Sequence, residues 1–398
     1  MRKKRMLAIV PDFYPANTGF AIAFKNLYTS LIDKNILEKI YVVTPKNRKG
    51  VVPNYEDKIV IKPILNIPKG QRFTYKICPS ILKIYYKLFN YIFILKLKKI
   101  ILEEKIDFIL IESVYLGWLA HDLEKNTGLR VITRFHGTGP EYGIRTKTNA
   151  YRKVSINEIF KTSYIATTTH FYIEFFEEYF KNYEKFYDKK FFIIPNTIKI
   201  EEKLKINKVN KTLKIIQLGR MDKNGYHQKG FVDTIEAFLY LEKILDKKIL
   251  EKISFISIGT GEKEEEYKQL LKKIRYINVE HYSFLPNEQV QEKLEESNIC
   301  LIPSRTEGMS MFATEAMALG KVFIFTYGNG MKDMLFNDFN GKGIHSYNYL
   351  ELAEKIQYFL KNPDKVEEFS KNSLELFEKE FSNQAVANKF SVMLDFIK

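Results

Sequence analysis

Two basic residues in the second half of the chain are spaced to bind a diphosphate. The predicted strand Lys214–Leu218 ends in Gly219 and Arg220. Lys229 follows at the start of the helix predicted over Phe231–Leu241. An arginine fork and a lysine point charge beside the free N–H groups of a helix start favour phosphate oxygens. The pair predicts a diphosphate clamp, although taken alone it is also consistent with two ordinary surface cations.

Two glutamates separated by seven residues follow another buried run. Glu307 lies in a loop beside Gly308, and Glu315 lies one turn inside the predicted helix. Carboxylates accept hydrogen bonds from sugar hydroxyls, and free N–H groups at a helix start suit a phosphate. Surface charge explains many isolated glutamates, but Glu315 is flanked by Ala316 and Met317. An ionised group among small apolar residues needs a partner, which favours a ligand-binding role.

The first half offers two weaker candidates. Gly19 follows the predicted strand Met6–Val10 and would let a phosphate or sugar approach the backbone, with a plain turn glycine as the alternative. His136 ends another predicted strand, and Gly137 and Gly139 follow it, which predicts an imidazole on an open loop rather than in a core. Neither GxGxxG nor GxxxxGK(S/T) occurs, which disfavours a dinucleotide oxidoreductase and a P-loop nucleotidase.

These motifs resemble, in order, those of the retaining, nucleotide-sugar-dependent glycosyltransferases of family 4, which have the GT-B fold. The resemblance covers nearly the whole chain. It rests on Gly219-Arg220 with Lys229-Gly230, on Pro303-Ser304 with Glu307-Gly308 through Glu315-Ala316-Met317-Ala318, on Gly328-Asn329-Gly330 and on Ile194-Pro195-Asn196.

The resemblance implies a role for each candidate. The donor diphosphate would be held by Arg220 and Lys229, Glu307 would hold a hydroxyl of the transferred sugar, and Glu315 would hold the ribose. His136 would contact donor sugar or diphosphate. The catalytic residues implied are Glu307, His136, Arg220 and Lys229, and the further donor-binding residues are Gly19, Gly219, Leu285, Ser310, Met311 and Glu315.

One departure from the family pattern bears on this assignment. The family usually has about four residues between the Gly-Arg and Lys-Gly pairs, whereas this chain has the eight residues Met221 to Gln228. The longer loop raises the alternative that Lys229 is displaced from the site.

Short β-branched runs alternate with helical patterns along the chain, which is typical of parallel sheets covered on both faces. The predicted strands include residues 108–111, 164–167, 278–282 and 299–302. We expect an α/β protein of the GT-B class, with two Rossmann-like doubly wound domains facing a cleft. Residues 1–198 would form an acceptor-binding domain to which a last helix, 383–398, returns, and residues 199–382 would bind the nucleotide sugar. The charged, low-apolar segment Lys199 to Lys211 suits a linker.

The net charge of +15 is unevenly placed. Residues 1–200 carry 34 Lys and Arg against 18 Asp and Glu, while residues 201–398 carry 29 against 30. Such a field attracts phosphates or anionic lipid, with plain surface solvation as the alternative. No nucleic-acid recognition module is recognisable, so nucleic acid is not expected as a partner. Only two cysteines occur, which favours a reducing, cytoplasmic setting, and no stretch is apolar enough to predict a transmembrane helix.

Basic and aromatic residues interleave between Arg72 and Lys105, where only Glu103 and Glu104 oppose eight cations. This mixture predicts a peripheral contact with the anionic inner face of the cell membrane. The alternative is that the aromatic side chains face the core of the domain and only the lysines are solvated.

By the resemblance, the chain transfers a hexosyl group from a nucleoside-diphosphate sugar, with a UDP-sugar favoured, to a hydroxyl of a lipid-linked or surface-glycan acceptor with retention of configuration. There is no Asp-x-Asp element, so we expect neither a metal nor any cofactor beyond the donor. The alternative from another class is a catalytically inactive GT-B partner subunit that binds glycan or assists an active glycosyltransferase.

Overall fold

The computed structural model describes residues 2–15, 19–44, 50–63, 79–112, 114–136, 159–180, 190–199, 206–209 and 211–397. The chain forms two compact units. Unit 1 comprises Met1–Lys199 and Ser382–Lys398, and unit 2 comprises Ile200–Phe381. The chain therefore leaves unit 1 and returns to it for its last helix.

Unit 1 is built on an eight-stranded sheet. Its strands are β1 (Lys4–Ile9), β2 (Leu37–Thr44), β3 (Gly50–Val51), β4 (Ile59–Pro63), β5 (Phe108–Ile111), β6 (Arg130–Phe135), β7 (Tyr164–Thr167) and β8 (Lys190–Ile193). Their spatial order is β3-β4-β2-β1-β5-β6-β7-β8, and each neighbouring pair is parallel except β3 with β4. Leu7 and Ile9 pack into one apolar core while Met6 and Ala8 pack into another. The sheet is thus buried on both faces, as parallel sheets require.

Helices cover this sheet. Those along the first half of the chain are α1 (Gly19–Asp33), α2 (Pro79–Glu104), α3 (Ala120–Thr127) and α4 (His170–Phe180), with a 3-10 turn at Val114–Leu119. In α2, Phe93, Leu97 and Ile101 recur at every fourth residue and pack into the core. That spacing places them on one helix face, so α2 is amphipathic over its described side chains.

Unit 2 has a sheet of six parallel strands. They are β9 (Leu213–Leu218), β10 (Ile253–Ile258), β11 (Asn278–Tyr282), β12 (Ile299–Ile302), β13 (Val322–Thr326) and β14 (Gly341–Ile344). Their order is β11-β10-β9-β12-β13-β14. The helices are α5 (Lys223–Gln228), α6 (Phe231–Ile244), α7 (Lys247–Leu250), α8 (Glu264–Leu271), α9 (Asn287–Glu296), α10 (Met311–Ala318), α11 (Tyr349–Lys361) and α12 (Pro363–Leu376), followed by a π-helical turn at Phe377–Phe381.

The last helix, α13 (Asn383–Phe396), belongs to unit 1. Ser382 caps it by accepting from the N–H of Ala385 at 3.3 Å. Its residues Val386, Phe390 and Met393 are buried in the same core as α1. These apolar residues recur at helical spacing, so α13 completes one face of the unit 1 sheet.

The expected fold class is confirmed: both halves are Rossmann-like α/β units with parallel sheets. The strands predicted at 108–111, 164–167, 278–282 and 299–302 have those bounds. Strands β3 and β14 were not predicted, because a two-residue edge strand and the glycine-rich Gly341–Ile344 carry little β-branched signal. No helix among the described residues is long and apolar enough to span a membrane. Most of the predicted linker lies outside the described residues.

Candidate functional site

The motif loops of unit 2 follow three neighbouring strands. β9 ends at Leu218, β12 at Ile302 and β13 at Thr326, and these strands lie side by side in the sheet. The carboxyl ends of parallel strands share one edge of a sheet, which is where open α/β folds bind ligands. The topology therefore gathers the three sequence motifs at one edge of unit 2.

Lys229 and Glu307, which are 78 residues apart, form an ion pair at this edge. Their side chains are largely buried, with 19% and 14% of their surfaces exposed. Two hydrogen bonds lie alongside. The N–H of Arg305 donates to the carbonyl of Gln228 at 2.8 Å, and the side-chain amide of Gln228 donates to the carbonyl of Thr306 at 2.6 Å. The segment before α6 and the loop after β12 are thus held together.

The longer loop between Arg220 and Lys229 is an ordered helical turn. Asp222 caps α5 by accepting from the N–H groups of Asn224 and Gly225, at 3.1 and 2.9 Å. The chain then returns to the sheet, where the stem of Lys229 lies over Gly219: a Cβ on Gly219 would come within 2.8 Å of the Lys229 Cγ. Lys229 thus lies beside Glu307 despite the longer loop, and Gly219 provides the space that the lysine side chain occupies.

Arg220 is more exposed than Lys229. About 69% of its side chain is accessible, and its guanidinium donates to Asp222 at 2.8 Å. The pKa of Asp222 is lowered, first by its bond from the Gly225 N–H and further by the charge of Arg220. Because a single carboxylate contact leaves other guanidinium donors in solvent, Arg220 retains donors for a ligand.

Glu315 lies in α10, the helix that follows Glu307. Among the residues that the structure describes, its carboxylate has no hydrogen-bond or ion-pair partner, and burial alone raises its pKa to about 7. Ser310 caps the same helix by accepting from the Ala313 N–H at 3.3 Å, and α10 begins at Met311. A carboxyl group left half-buried without a partner is what a site for ligand hydroxyls requires.

The loop after β13 contacts the backbone of Glu307. The N–H of Gly330 donates to the Glu307 carbonyl at 2.8 Å, and a Cβ at Gly330 would come within 2.7 Å of that oxygen. Gly328 has a φ of +74°, which favours glycine. Backbone conformation therefore explains the glycine at 328, and close packing explains the glycine at 330. The motif positions the backbone of Glu307.

Leu285 lies further away, in the segment after β11. It is half-buried beside an exposed Phe284, and β11 is two strands from β9. Leu285 therefore follows a strand that is not a neighbour of β9, β12 or β13.

The candidates of unit 1 lie close to each other. Gly19 begins α1, and the ring centroids of the next residue, Phe20, and of His136 are 6.2 Å apart. Phe24 is closer, with its centroid 4.9 Å from that of His136. The expectation of an imidazole on an open loop is wrong, because only 4% of the His136 side chain is exposed. Gly137 and Gly139, on which that expectation depended, lie outside the described residues.

A buried ionic cluster surrounds His136. Its Nε2 lies 2.6 Å from Oε2 of Glu112, the residue that follows β5. Arg134 of β6 donates to the same carboxylate at 3.2 and 3.3 Å, and the Tyr28 hydroxyl donates to its Oε1 at 3.1 Å. Arg134 also donates to the carbonyls of Ile194 and Pro195, each at 2.9 Å. The guanidinium therefore connects β6 to the segment that follows β8.

The charges of this cluster follow from burial and proximity. Burial lowers the pKa of His136 to about 4, and the charge of Arg134 adds to this against the opposing effect of Glu112. Burial would raise the pKa of Glu112, but Arg134 and His136 reverse the effect and lower it. Near neutral pH the cluster thus contains a carboxylate, a guanidinium and a neutral imidazole.

Sequence reasoning missed Glu112, Arg134, Tyr28 and Gln228 as parts of these arrangements. The signal for two of them was present, since Glu112 and Arg134 interrupt or end otherwise apolar strands. A charge within a buried strand needs an opposite charge nearby. Two such interruptions on successive strands therefore point to each other.

Comparison with known proteins supports a glycosyltransferase of the GT-B class. Residues 198–375 match the family model described as glycosyl transferases group 1. An uncharacterized glycosyltransferase of Haemophilus influenzae is 28% identical over 176 residues, which are 41% of this chain and 49% of that protein. A glycogen synthase of Petrotoga mobilis is 26% identical over 209 residues, 50% of this chain and 40% of that protein. The matched regions span about half or less of the length of these relatives.

Solved structures match over the whole chain. A sucrose-phosphate synthase from Thermosynechococcus elongatus has a TM-score of 0.72 at 16% identity and covers 99% of both chains. Anabaena HepE in complex with UDP-glucose has a TM-score of 0.66 at 12% identity and covers 98% of this chain and 99% of that one. At such identities the likeness establishes the fold. Together with the family model, it supports a GT-B glycosyltransferase.

Proposed function

We propose that the chain is a nucleotide-sugar-dependent, retaining hexosyltransferase of the GT-B class, of family 4. One observation carries the proposal. Lys229 and Glu307, to which the resemblance gives the donor diphosphate and the transferred sugar, pair at the carboxyl edge of the unit 2 sheet. The structural relative HepE binds UDP and UDP-glucose, which favours a UDP-sugar as donor.

In the proposed reaction, the bond between the anomeric carbon and the diphosphate oxygen breaks. A bond forms from that carbon to the acceptor oxygen on the same face. The proton of the acceptor hydroxyl passes to the leaving phosphate. Arg220 and Lys229 stabilise the negative charge that develops on the diphosphate, with the N–H groups near Ser310 and Met311 assisting. Glu307 orients the sugar by accepting from a hydroxyl, and Glu315 accepts from the ribose.

The donor half of the proposal is tested by incubating the chain with a panel of nucleotide sugars and no acceptor. We expect slow release of UDP from one UDP-hexose. NMR should show that the released sugar has the same anomeric configuration as the sugar in the donor. Inversion of the anomeric centre contradicts the retaining mechanism. UDP binding with no turnover of any donor supports an inactive partner subunit instead.

For the acceptor, we propose a glycan precursor carried on lipid, met at the cytoplasmic face of an anionic membrane. The outward face of α2 supports this. Tyr91, Leu95 and Leu102 form an exposed apolar stripe, with Tyr91 64% and Leu102 77% exposed. Lys96 and Lys99 lie exposed beside it. Rings and alkyl groups flanked by cations suit the boundary between headgroups and acyl chains.

The same helix bears on the alternative raised from the sequence, in which the aromatic side chains face the core and only the lysines are solvated. Phe93 faces the core, as that alternative requires, but Tyr91 does not. Arg72 and Lys76 lie outside the described residues, and the side chains of Lys83 and Lys87 are likewise not described.

Cosedimentation with liposomes tests the membrane contact. We expect binding to anionic vesicles at low salt, weaker binding at high salt and little binding to neutral vesicles. Exchanging Lys96 and Lys99 for glutamate reverses two charges on this face and should abolish the binding. The same exchange at Lys272 and Lys273, exposed in unit 2, serves as the control. If the wild-type chain does not bind anionic vesicles at low salt, a glycan or protein acceptor free of the membrane replaces this part of the proposal.

A further inference from the structure

Tyr347, in the segment after β14, has an unusual backbone conformation. Its φ is +63°, in the left-handed region that residues other than glycine, asparagine and aspartate seldom adopt. The residue is 60% exposed, so burial in a core does not explain this conformation. A bulky residue in this region persists only where its surroundings outweigh the strain, and such residues cluster at functional sites. The contacts of the Tyr347 side chain therefore indicate what the strain serves.

The Tyr347 side chain contacts both segments that carry the Lys229–Glu307 pair. Its ring lies over the guanidinium of Arg305, with the Arg305 Cζ 4.2 Å from the ring centroid. Its hydroxyl is hydrogen-bonded to Nε2 of His227 at 3.2 Å. Arg305 is two residues before Glu307, and His227 is two residues before Lys229. One exposed ring thus spans the two segments that the ion pair joins.

The guanidinium under this ring is itself held in place. Its Nη2 contacts both carboxylate oxygens of Asp233, at 2.8 and 2.9 Å, and the side chains of Arg305 and Asp233 are each 11% exposed. Asp233 lies in the first turn of α6. Gly230, just before that helix, approaches so closely that a Cβ there would come within 2.8 Å of the Arg305 Nη1. Arg305 therefore connects the loop after β12 to the start of α6, and Tyr347 packs on this connection at the surface.

We propose that Tyr347 is a positioning residue for the donor: it holds Lys229 and Glu307 at the separation that the diphosphate and the transferred sugar require. This rests on the proposed function, which supplies the donor. A misplacement of about 1 Å in groups that orient a substrate can lower the rate by about 10²-fold. A ring that contacts Arg305 and His227 together limits such misplacement. All of these residues belong to unit 2.

Exchange of Tyr347 for glycine separates positioning from stability. Glycine removes both side-chain contacts, but it also removes the backbone strain, because it adopts a positive φ without steric cost. These effects on stability oppose each other, so we expect the melting temperature to fall by no more than about 3 °C. We expect kcat to fall at least about tenfold. The Kd for UDP, measured by calorimetry, should change less than about threefold, because Arg220 keeps its donors for the diphosphate.

Two further variants serve as controls. Tyr347→Phe keeps the ring over Arg305 and the same backbone strain, and it should retain at least about half of the wild-type kcat. Asp338→Gly relieves a φ of +60° elsewhere in unit 2, before β14 rather than after it. Its kcat should equal that of the wild type, because the segments of the ion pair are unchanged.

The reactivity of the Lys229 amine gives a readout that needs no substrate. Trace labelling with acetic anhydride, quantified by mass spectrometry against the exposed Lys272, reports whether the amine remains paired with Glu307. We expect labelling of Lys229 to rise about threefold or more in Tyr347→Gly, because an amine released from its carboxylate is free to react. Labelling should stay at the wild-type level in Tyr347→Phe and in Asp338→Gly.

Unchanged labelling of Lys229 in Tyr347→Gly, or a wild-type kcat in that variant, overturns the proposal. A melting temperature lower by more than about 3 °C does so too, because the ring would then be a support of the fold. The labelling experiment separates failure of this inference from failure of the proposed function. Raised labelling in a chain that transfers no sugar contradicts only the function.

Discussion

The charged cluster around Glu112 in unit 1 differs in its pairing from Arg220 and Glu315 in unit 2. In unit 1, Glu112 and Arg134 are fully buried and satisfied by their neighbours. In unit 2, Arg220 is mostly exposed, and Glu315 is half-buried without a partner among the described residues. Pairing within the protein stabilises a fold, whereas unused donors and acceptors are available to a ligand. The first cluster should therefore govern stability and the second should govern donor binding and rate.

The largest effect expected from this contrast is on the unfolding of unit 1. Arg134→Met leaves Glu112 as an unpaired buried charge and should lower the free energy of unfolding by about 3–5 kcal/mol. Denaturant unfolding followed by fluorescence measures it locally, since the only tryptophan, Trp118, lies in unit 1. The same substitution at the exposed Arg220 should leave the unfolding of unit 2, followed by circular dichroism, unchanged. Equal destabilisation by both would remove the distinction between the clusters.

The next effect is on rate. Glu307→Gln removes a charged acceptor from the sugar and should lower kcat by about 10²-fold or more. Initial rates with saturating donor measure it. Glu288→Gln, at an exposed carboxylate of α9, should behave as wild type. Wild-type turnover in Glu307→Gln would mean that Glu307 does not hold the sugar.

Donor affinity should change next. Arg220→Ala removes charge-assisted hydrogen bonds and should weaken UDP and UDP-hexose alike, by roughly 1.5–3 kcal/mol. Isothermal titration calorimetry with each ligand gives the two values, and Arg275→Ala, an exposed arginine of unit 2, is the matched control. An unchanged affinity for UDP would place the diphosphate clamp elsewhere.

The smallest effect concerns pH. The Glu315 carboxyl has a pKa of about 7, and its ionised form accepts from ribose hydroxyls more strongly than its protonated form. Donor affinity should therefore rise severalfold as pH increases through about 7. UDP-hexose is the ligand of choice, because its diphosphate is esterified at both ends and lacks the ionisation near about pH 6 of a terminal phosphate. Glu315→Gln should make the affinity independent of pH over this range. A pH dependence that persists in this variant assigns it to another group.

Sequence reasoning found most of the framework because parallel strands buried on both faces carry an unmistakable composition. The segments 108–111 and 299–302 are short apolar runs with polar flanks, and both are strands. The same reasoning could place Lys229 at the candidate site only through the family resemblance. Whether eight residues form a disordered loop or a capped helical turn depends on Asp222 accepting two N–H groups, and on a glycine lying under the lysine stem.

His136 shows where the sequence was misleading. Glycines near the histidine suggested exposure, but its ring is buried by residues that are distant in sequence. Glu112 comes close when β5 pairs with β6, and Phe24 comes from α1. Burial is a property of the assembled sheet, and a local pattern of glycines does not contain it. The charged residues Glu112 and Arg134, at the ends of these two strands, were better predictors of a buried cluster.

The position of α13 has a consequence for biosynthesis. Unit 2 is one continuous segment, whereas the core of unit 1 needs Val386, Phe390 and Met393 from the far end of the chain. During translation, unit 2 therefore has all of its residues before unit 1 does. Until the codons for α13 are read, the apolar surface of α1 that α13 will cover stays open to solvent or to a chaperone. The half of the protein made first is the half that finishes folding last.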